Sequence, residues 1–206
     1  MLVSVHIPKC AGMSFHNVLR DIYRERCWTN YGRIFSREQA RSGVVPQGTL
    51  CIHGHFMADA FDDIFPRREL VTWVRHPVER VASMYHFFLR NPGMRDDSCR
   101  ALHERKLGLR EFADLDGVAN LSSRLLAGKP VGDFAFVGIV ETFPESLCRF
   151  ARKYSRGKTP IEPKTNVNSQ REDPGYPLSR EDIDHILSRN ESDLLWYEQA
   201  RARFGP

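Results

Sequence analysis

The sequence predicts an α/β protein in which helices flank a parallel sheet, and two observations carry that prediction. Short apolar runs rich in β-branched residues, each suited to a buried strand, recur at 2–7, 49–53, 70–75 and 134–140. Segments with apolar residues at helical spacing follow the first, third and fourth of these runs, at 15–23, 78–89 and 142–154. Strands that alternate with helices form parallel sheets covered on both faces, and such sheets bind ligands beyond the carboxyl ends of their strands.

The predicted helix boundaries carry local signals of their own. Pro77 is favoured in the first turn of a helix because its missing N–H would have no partner there. Thr142–Glu145 and Ser179–Asp182 both fit a capping box, in which two side chains bond free backbone N–H groups at a helix start. The C-terminal helical stretch that follows Ser179 is expected to break near Asn190.

Two segments lie outside the strand–helix alternation. Residues 91–130 are polar and helix-prone, with Leu102, Leu107 and Phe112 as apolar anchors, and are interpreted as a helical insertion over the site. Residues 157–178 are rich in Pro, Gly, Asn and Lys and are predicted to form a long surface loop, a kind of segment that is often functional. The chain of 206 residues fits one domain, 1–206.

Composition excludes several classes of protein. With 41% hydrophobic and 27% charged residues, the chain has the balance of a globular protein and not of a disordered one. Its 30 basic and 26 acidic residues form no long basic run, so nucleic acid is not an expected partner. No stretch approaches the roughly 20 apolar residues of a membrane span, and the first residues lack the pattern of a signal peptide.

The five cysteines bear on the cellular compartment. They are odd in number and lack the paired spacing of a metal site, so no metal is expected. Reduced thiols are typical of the cytoplasm, and a cytoplasmic location is therefore predicted. Nothing in the sequence predicts the oligomeric state.

The loop 8–14 has the features of an anion site. It joins a predicted strand to a predicted helix, whose first backbone N–H groups and dipole favour a negative charge. Gly12 permits close approach of a phosphate, Lys9 adds a charge and Ser14 adds a hydroxyl. The loop is not a Walker motif, because there the lysine directly precedes the Ser or Thr that holds magnesium, and here it comes five residues earlier. The alternative is an ordinary surface turn with a solvated lysine.

A second candidate site pairs Arg75 with Ser83. Arg75 ends a predicted strand, and Ser83 lies about two turns into the next helix, near the same end of the sheet. A guanidinium and a hydroxyl together suit a second, non-reacting phosphate. The alternative is that Arg75 pairs with a carboxylate such as Glu79 while Ser83 is a small packing residue.

The pair His53 and His55 is the third candidate. Two residues apart on an extended segment, at the end of a predicted strand, they face the same side. One imidazole is then suited to act as a general base while the other orients it or the acceptor. Two alternatives stay open, a metal site for which no third ligand is evident, and hydrogen-bonded structural imidazoles.

Taken in order, these residues resemble conserved blocks of the sulfotransferases. The resemblance is strongest to the carbohydrate branch that includes the heparan sulfate and uronyl 2-O-sulfotransferases. It covers most of residues 2–150, and the C-terminal Asp193–Tyr197 segment is similar too. The four blocks are His6–Ser14, Ile52–Phe56, Val74–Tyr85 and Phe136–Glu141.

The resemblance implies a P-loop nucleotide-kinase-like fold and the donor 3′-phosphoadenosine-5′-phosphosulfate (PAPS). It assigns Arg75 and Ser83 to the 3′-phosphate of the donor, and His55, supported by His53, to the acceptor proton. It also implies a basic loop over the nucleotide, for which Lys164–Arg171 is the matching segment. It assigns binding of the 5′-phosphosulfate to the loop residues Lys9, Cys10, Ala11, Gly12, Met13 and Ser14. Cys10 and Met13 stand where the family has Thr or Gly.

The chemistry of sulfuryl transfer agrees with these assignments. In-line attack by a hydroxyl needs a base for its proton and a cation where charge develops on the leaving oxygen, and His55 and Lys9 suit these two catalytic roles. We therefore expect an enzyme that moves a sulfuryl group to a hydroxyl, expected on a glycan or a glycan-bearing small molecule. The alternatives are a phosphoryl-transfer kinase of similar fold and a non-catalytic nucleotide-binding module.

Overall fold

The computed structural model describes residues 1–42, 45–155 and 176–206. Within them, a single sheet has five strands, all paired in parallel: β1 (Leu2–Val5), β2 (Cys27–Phe35), β3 (Cys51–Phe56), β4 (Glu69–Val74) and β5 (Phe134–Ile139). Their spatial order is β2-β3-β1-β4-β5. The predicted α/β class with a parallel sheet is confirmed.

Nine α-helices accompany the sheet in the described ranges. They are α1 (Gly12–Tyr23), α2 (Arg37–Arg41), α3 (Pro77–Arg90), α4 (Asp97–Glu104), α5 (Leu109–Ala113), α6 (Leu121–Leu125), α7 (Phe143–Tyr154), α8 (Arg180–Arg189) and α9 (Glu191–Phe204). Three single turns of 3₁₀-helix lie at Arg24–Arg26, Val131–Asp133 and Val140–Thr142. As the sequence predicts, Pro77 is the first residue of its helix, Ser179–Asp182 forms a capping box, and the C-terminal helical stretch breaks at Asn190.

Strand β1 is the centre of the sheet, and all four of its residues are buried. It pairs with β3 on one side and β4 on the other, with Val5 opposite both Gly54 and Thr72. The carboxyl end of β1 therefore lies between those of β3 and β4. This register brings the loop after β1, the second half of β3 and the residue after β4 to one edge of the sheet, where parallel sheets bind ligands.

Aromatic side chains fix two helices against the sheet. The ring of Phe15 in α1 lies 4.7 Å from that of Phe150 in α7 and 5.3 Å from that of Trp73 in β4, between ring centres. Phe136 of β5 in turn lies 5.2 Å from Phe150. Burial of several such rings contributes a few kcal/mol each, so this cluster holds the start of α1, and with it the preceding loop, rigidly on the sheet.

The segment 91–130 is helical, as predicted, since it forms α4, α5 and α6. Its three predicted anchors are buried, with Phe112 fully inaccessible. The predicted loop 157–178 and the basic segment Lys164–Arg171 lie outside the described residues, apart from the last three positions of that loop.

The structure differs from the sequence predictions at three points, one strand that was missed and two local predictions that are wrong. Strand β2 was not predicted, because Cys27–Phe35 mixes polar residues and Gly32 into a segment without a β-branched run. Thr142 precedes α7 without capping it, and its hydroxyl is buried with no hydrogen-bond partner in the described structure. His53 and His55 lie inside β3 and not beyond its end, because pairing with β2 extends that strand to Phe56.

Candidate active site

The loop between β1 and α1 has a backbone shape that exposes the helix start. Lys9 and Ala11 have φ values of 66° and 57°, in the left-handed region that non-glycine residues rarely adopt. Ala11 is the N-cap of α1 and gives no side-chain hydrogen bond, and the first turn holds no acidic residue. The backbone N–H groups of that turn therefore lack a carboxylate or hydroxyl cap, which leaves them available to an anion.

Lys9 stands in an environment that disfavours its own charge. Burial, and then the nearby guanidinium groups of Arg75 and Arg90, together lower its pKa to about 8. Its Nζ lies 3.9 Å from the centre of the Phe87 ring, which fixes the ammonium against α3. Three cations thus lie near one another beside the loop, and a bound anion would relieve their mutual repulsion.

Gly12 is required by its contact with His6. A Cβ built on Gly12 would lie 1.8 Å from Nε2 and 2.0 Å from Cδ2 of that imidazole, far inside van der Waals contact. His6 is buried, with its ring beneath the first residue of α1. The glycine therefore serves close packing between the loop and the sheet, besides the access for a phosphate that the sequence suggests.

The other side chains of the loop differ in their exposure to solvent. Cys10 is fully buried, and that burial raises the pKa of its thiol to about 12, so the thiol stays protonated and takes no part as an ion. Met13 is 54% exposed, while Ala11 and Ser14 are half-buried. Of these four residues, only Ser14 has a polar side-chain group within reach of solvent at the helix start.

Arg75 and Ser83 lie where the sequence places them. Arg75 follows β4 directly, and Ser83 is a buried residue two turns into α3. The guanidinium Nη2 of Arg75 donates to a carboxylate oxygen of Glu79 at 2.8 Å, the ion pair that the sequence left open as an alternative. Because Arg75 lowers the pKa of Lys9, the predicted sites for the two phosphates share one positively charged region.

His53 and His55 belong to a larger cluster of aromatic rings. Both face the same side of β3, as predicted, and both lie 5.7 Å from the ring of Tyr31 in β2, between ring centres. His6 stacks on His53 at 5.3 Å and contacts His55 at 4.6 Å, and His16 of α1 stacks on His53 at 5.7 Å. Gly54 permits this arrangement, because a Cβ there would lie 1.9 Å from a backbone oxygen of β2.

The imidazoles of this cluster are neutral near pH 7 because burial lowers the pKa of all four, to about 3 for His53. His53 is 1% exposed, and its Nδ1 forms a 2.8 Å hydrogen bond with the hydroxyl of Ser4. His55 is half-buried, and Asp96 at the start of α4 partly opposes the lowering of its pKa. Of the predicted pair, only His55 therefore offers a neutral imidazole to a molecule in the cleft.

Sequence reasoning missed the other members of the cluster. His6 lies in the first sequence block, His6–Ser14, but was given no role. Tyr31 and His16 could be placed in the cluster only from the positions of β2 and α1 in the structure. Sequence reasoning gave no role to Arg80 either, whereas its side chain is fully buried. It donates to the carbonyl of Val118 and lies 3.4 Å from a carboxylate oxygen of Asp193.

The last block is linked to the others through Glu141. Its carboxylate accepts a hydrogen bond from the backbone N–H of His76, at the start of α3, at 2.8 Å. The hydroxyl of Tyr197 in α9 donates to the second carboxylate oxygen at 3.1 Å. The last two blocks and the C-terminal Asp193–Tyr197 segment are thus in direct contact, next to Arg75.

Three further observations concern the described residues. In 1–42, 45–155 and 176–206, no three or more His, Cys, Asp and Glu side chains are arranged as a metal site. In the same ranges, no helix has the length and apolar character needed to cross a membrane. All five cysteines are free thiols.

No family model matches the sequence, and none of the curated proteins matches it either. Solved structures do share its fold. The chain is similar to the crystal structure of a sulfotransferase from Alicyclobacillus acidocaldarius, with a TM-score of 0.52 and 15% identity, over 98% of this chain and 94% of that one. A mouse sulfotransferase, SULT7A1 complexed with PAP, is similar with a TM-score of 0.43 and 13% identity, over 94% of this chain and 64% of that one. The chain therefore has the P-loop nucleotide-kinase-like fold of the sulfotransferases.

Proposed function

We propose that this protein is a sulfotransferase that uses PAPS as donor and a hydroxyl of a glycan, or of a glycan-bearing small molecule, as acceptor. One observation carries the proposal. A helix start without a side-chain cap, preceded by the cationic loop residue Lys9, lies one imidazole ring away from the neutral, half-buried His55, since His6 contacts both Gly12 and His55. An anion site and a base at that separation are what sulfuryl transfer to a hydroxyl requires.

The residues of the loop fit the phosphosulfate end of the donor. The backbone N–H groups at the start of α1 bind its oxygens, Gly12 leaves room for them, and Ser14 adds a hydroxyl. The ammonium of Lys9 is poised to gain most from an anion, since burial and two guanidinium groups disfavour its charge in the free protein. The same ammonium is the group suited to stabilise negative charge as it develops on the leaving oxygen.

Arg75 and Ser83 are proposed to hold the 3′-phosphate of the donor. Arg75 is a partly buried cation, and a phosphate would replace or share its bond to Glu79. Ser83 lies about two turns into α3 and contributes a hydroxyl. When bound, the donor supplies the sulfuryl group and leaves as 3′-phosphoadenosine 5′-phosphate.

On the acceptor side, His55 is proposed to take the proton of the attacking hydroxyl, with His53 in support. A neutral imidazole is ready to accept a proton, and the depressed pKa of His55 keeps it neutral across the physiological range. Asp96 is close enough to raise that pKa and would stabilise the imidazolium. Because Asp96 precedes α4, the segment 91–130 is proposed to form the acceptor side of the site within a single domain.

The nature of the acceptor rests on the resemblance of the sequence blocks to the carbohydrate branch. A cytoplasmic location, expected from the free thiols, stays a prediction. A kinase of similar fold is the alternative enzyme, but loop 8–14 has no lysine directly before its Ser14 to serve a nucleoside triphosphate. A non-catalytic nucleotide-binding module is the alternative outside enzymes, and it would leave the neutral His55 beside the anion site without a role.

The test is transfer of a labelled sulfuryl group. The protein is incubated with sulfur-labelled donor and panels of oligosaccharides, glycosides and simple phenols, and the products are identified by mass spectrometry. Sulfated products with a sugar hydroxyl as the site would support the proposal in full, and products only among phenols would overturn its acceptor part. Phosphorylated products with magnesium and ATP would establish the kinase. Tight binding of 3′-phosphoadenosine 5′-phosphate without transfer to any acceptor would establish the binding module.

A further inference from the structure

Two neighbouring rings of the histidine cluster, those of His6 and His55, each bury one nitrogen that has no hydrogen-bond partner in the described structure. These nitrogens are Nδ1 of His6 and Nε2 of His55. Their rings are in contact, 4.6 Å apart between centres and inclined by 51°. A buried polar nitrogen without a partner is unfavourable, so a hydrogen bond between these two contacting rings would stabilise the cluster.

The chemistry of neutral imidazole decides which nitrogen of the pair donates. In each neutral ring one nitrogen carries a proton and donates while the other accepts. If Nε2 of His55 donates to Nδ1 of His6, then Nδ1 of His55 keeps its lone pair. Since the buried nitrogen of this half-buried ring is Nε2, Nδ1 is the atom left for the cleft.

The surroundings of His6 favour an acceptor role for it. Four other elements contribute titratable groups near its ring: His53 and His55 from β3, His16 from α1, Tyr31 from β2 and Lys9 from the loop. Burial, these imidazoles and the ammonium of Lys9 all lower the pKa of His6. His6 therefore stays neutral, and a neutral imidazole has a nitrogen that can accept a hydrogen bond.

We propose that His6 is a positioning residue for the catalytic base. Its Nδ1 accepts a hydrogen bond from Nε2–H of His55 and so holds His55 in the tautomer whose Nδ1 faces the acceptor. The proton of the acceptor hydroxyl then moves to Nδ1 of His55, and the resulting imidazolium keeps its Nε2–H bonded to His6, which remains neutral. The proposal rests on the proposed function, because it assigns a supporting residue to the same base.

The contact of His6 with Gly12 gives this arrangement a second consequence. Nε2 of His6 lies against Gly12, which is the first residue of α1 and part of the loop 8–14 proposed to bind the phosphosulfate. One rigid ring therefore sets the distance between the loop and the base.

The test compares His6→Asn with His6→Leu, two side chains of nearly equal shape. Asn keeps an acceptor close to the position of Nδ1, whereas Leu keeps only the volume. We expect both variants to fold, by circular dichroism, and to bind 3′-phosphoadenosine 5′-phosphate with an affinity similar to that of the parent. Turnover should fall about 10- to 100-fold in His6→Leu and much less in His6→Asn. The acidic limb of the pH–rate profile should move to lower pH in His6→Leu, since an imidazolium without that acceptor is less stable.

Equal losses in the two variants, or an unmoved acidic limb, would overturn the proposal and make His6 a packing residue only. A second readout does not depend on activity. Nitrogen chemical shifts of the histidine rings distinguish the two tautomers, and His55 should carry its proton on Nε2 in the parent and lose that preference in His6→Leu. A parent with this tautomer but without sulfuryl transfer would defeat the proposed function alone. A parent with the opposite tautomer would defeat the role of His6.

Discussion

Arg75 and Glu79 form an ion pair one turn apart at the start of α3, with 2.8 Å between Nη2 and Oε2. The side chain of Arg75 is 13% exposed and that of Glu79 is 29% exposed, so the pair is partly shielded from solvent. A carboxylate and a phosphate compete for the same face of a guanidinium. Glu79 thus neutralises Arg75 in the free protein and opposes, by its own charge, the phosphate that is proposed to bind there.

Removal of Arg75 should weaken binding of the 3′-phosphate selectively. Arg75→Ala is expected to cost about 2–4 kcal/mol in binding of 3′-phosphoadenosine 5′-phosphate, because a partly buried phosphate then lacks its charged partner. Binding of adenosine 5′-phosphate should hardly change. Isothermal titration calorimetry with both nucleotides gives the coupling. Glu79→Gln is the matched control and should bind the bisphosphate at least as tightly as the parent. The same loss for both nucleotides would show that Arg75 is structural.

Lys9 should take up a proton when the nucleotide binds. Its pKa in the free protein is lowered to about 8, with burial as the main cause, and a bound anion must raise it. At about pH 8.5 the free ammonium is partly deprotonated, so binding is accompanied by proton uptake and affinity falls as pH rises above about 8. Calorimetry in buffers of different ionisation enthalpy measures this uptake, which Lys9→Met should abolish. A binding enthalpy at that pH that does not depend on the ionisation enthalpy of the buffer would contradict the assignment.

Sequence reasoning located the loop 8–14, Arg75 and Ser83 because each lies within one strand–loop–helix unit, where local patterns decide the structure. It missed β2 because an edge strand with one neighbour tolerates polar residues, and Cys27–Phe35 has no apolar alternation to detect. The partners of Arg80 were also out of reach. Asn190, one of them, is 110 positions away along the chain, and no local pattern reports a contact of that separation.

Substitution of the two predicted histidines should have different effects. His55→Ala is expected to lower turnover by about 10²–10⁴-fold, the usual contribution of a positioned base, with little change in nucleotide affinity. His53→Ala should act mainly on stability, because that ring is 1% exposed and bonded to Ser4. Steady-state kinetics and thermal melts separate the two effects, with Ser4→Ala as control for the lost bond. Full turnover in His55→Ala would show that His55 is not the base. Loss of turnover together with loss of stability would show that His55 supports the fold.

The histidine cluster should make the fold sensitive to mild acid. Burial lowers the pKa of His6, His16, His53 and His55 in the folded protein, whereas the unfolded chain binds protons with an ordinary histidine pKa of about 6.5. Below about pH 6.5 the unfolded state therefore binds more protons, and the free energy of unfolding falls as pH decreases towards the folded-state value of about 3 for His53. Urea unfolding between about pH 5 and 7, above the carboxylate range, isolates the effect. His53→Asn should reduce the slope, and an unchanged slope would show that the cluster is not its source.

The buried pair of Arg80 and Asp193 should dominate the response of the fold to charge removal. Arg80 is fully inaccessible, and Asp193 accepts further bonds from the backbone and side chain of Ser123 at 2.7 Å. Asp193→Ala leaves a buried guanidinium without its carboxylate and is expected to lower the free energy of unfolding by about 3–5 kcal/mol. The exposed ion pair of Arg180 and Asp184 provides the control, since Asp184→Ala should leave the melting temperature nearly unchanged.

Replacement of both members of the buried pair tests the cause of that loss. Breaking a buried ion pair costs more than removing it, because removal leaves no charge to be solvated. The double variant Arg80→Met, Asp193→Leu should therefore recover a large part of the stability lost in Asp193→Ala. Since α3 carries Ser83 one turn after Arg80, recovery of the fold should also restore nucleotide binding, measured by calorimetry on the same samples. A double variant less stable than Asp193→Ala would mean that the hydrogen bonds to Val118 and Asn190, and not the ion pair, hold α3 in place.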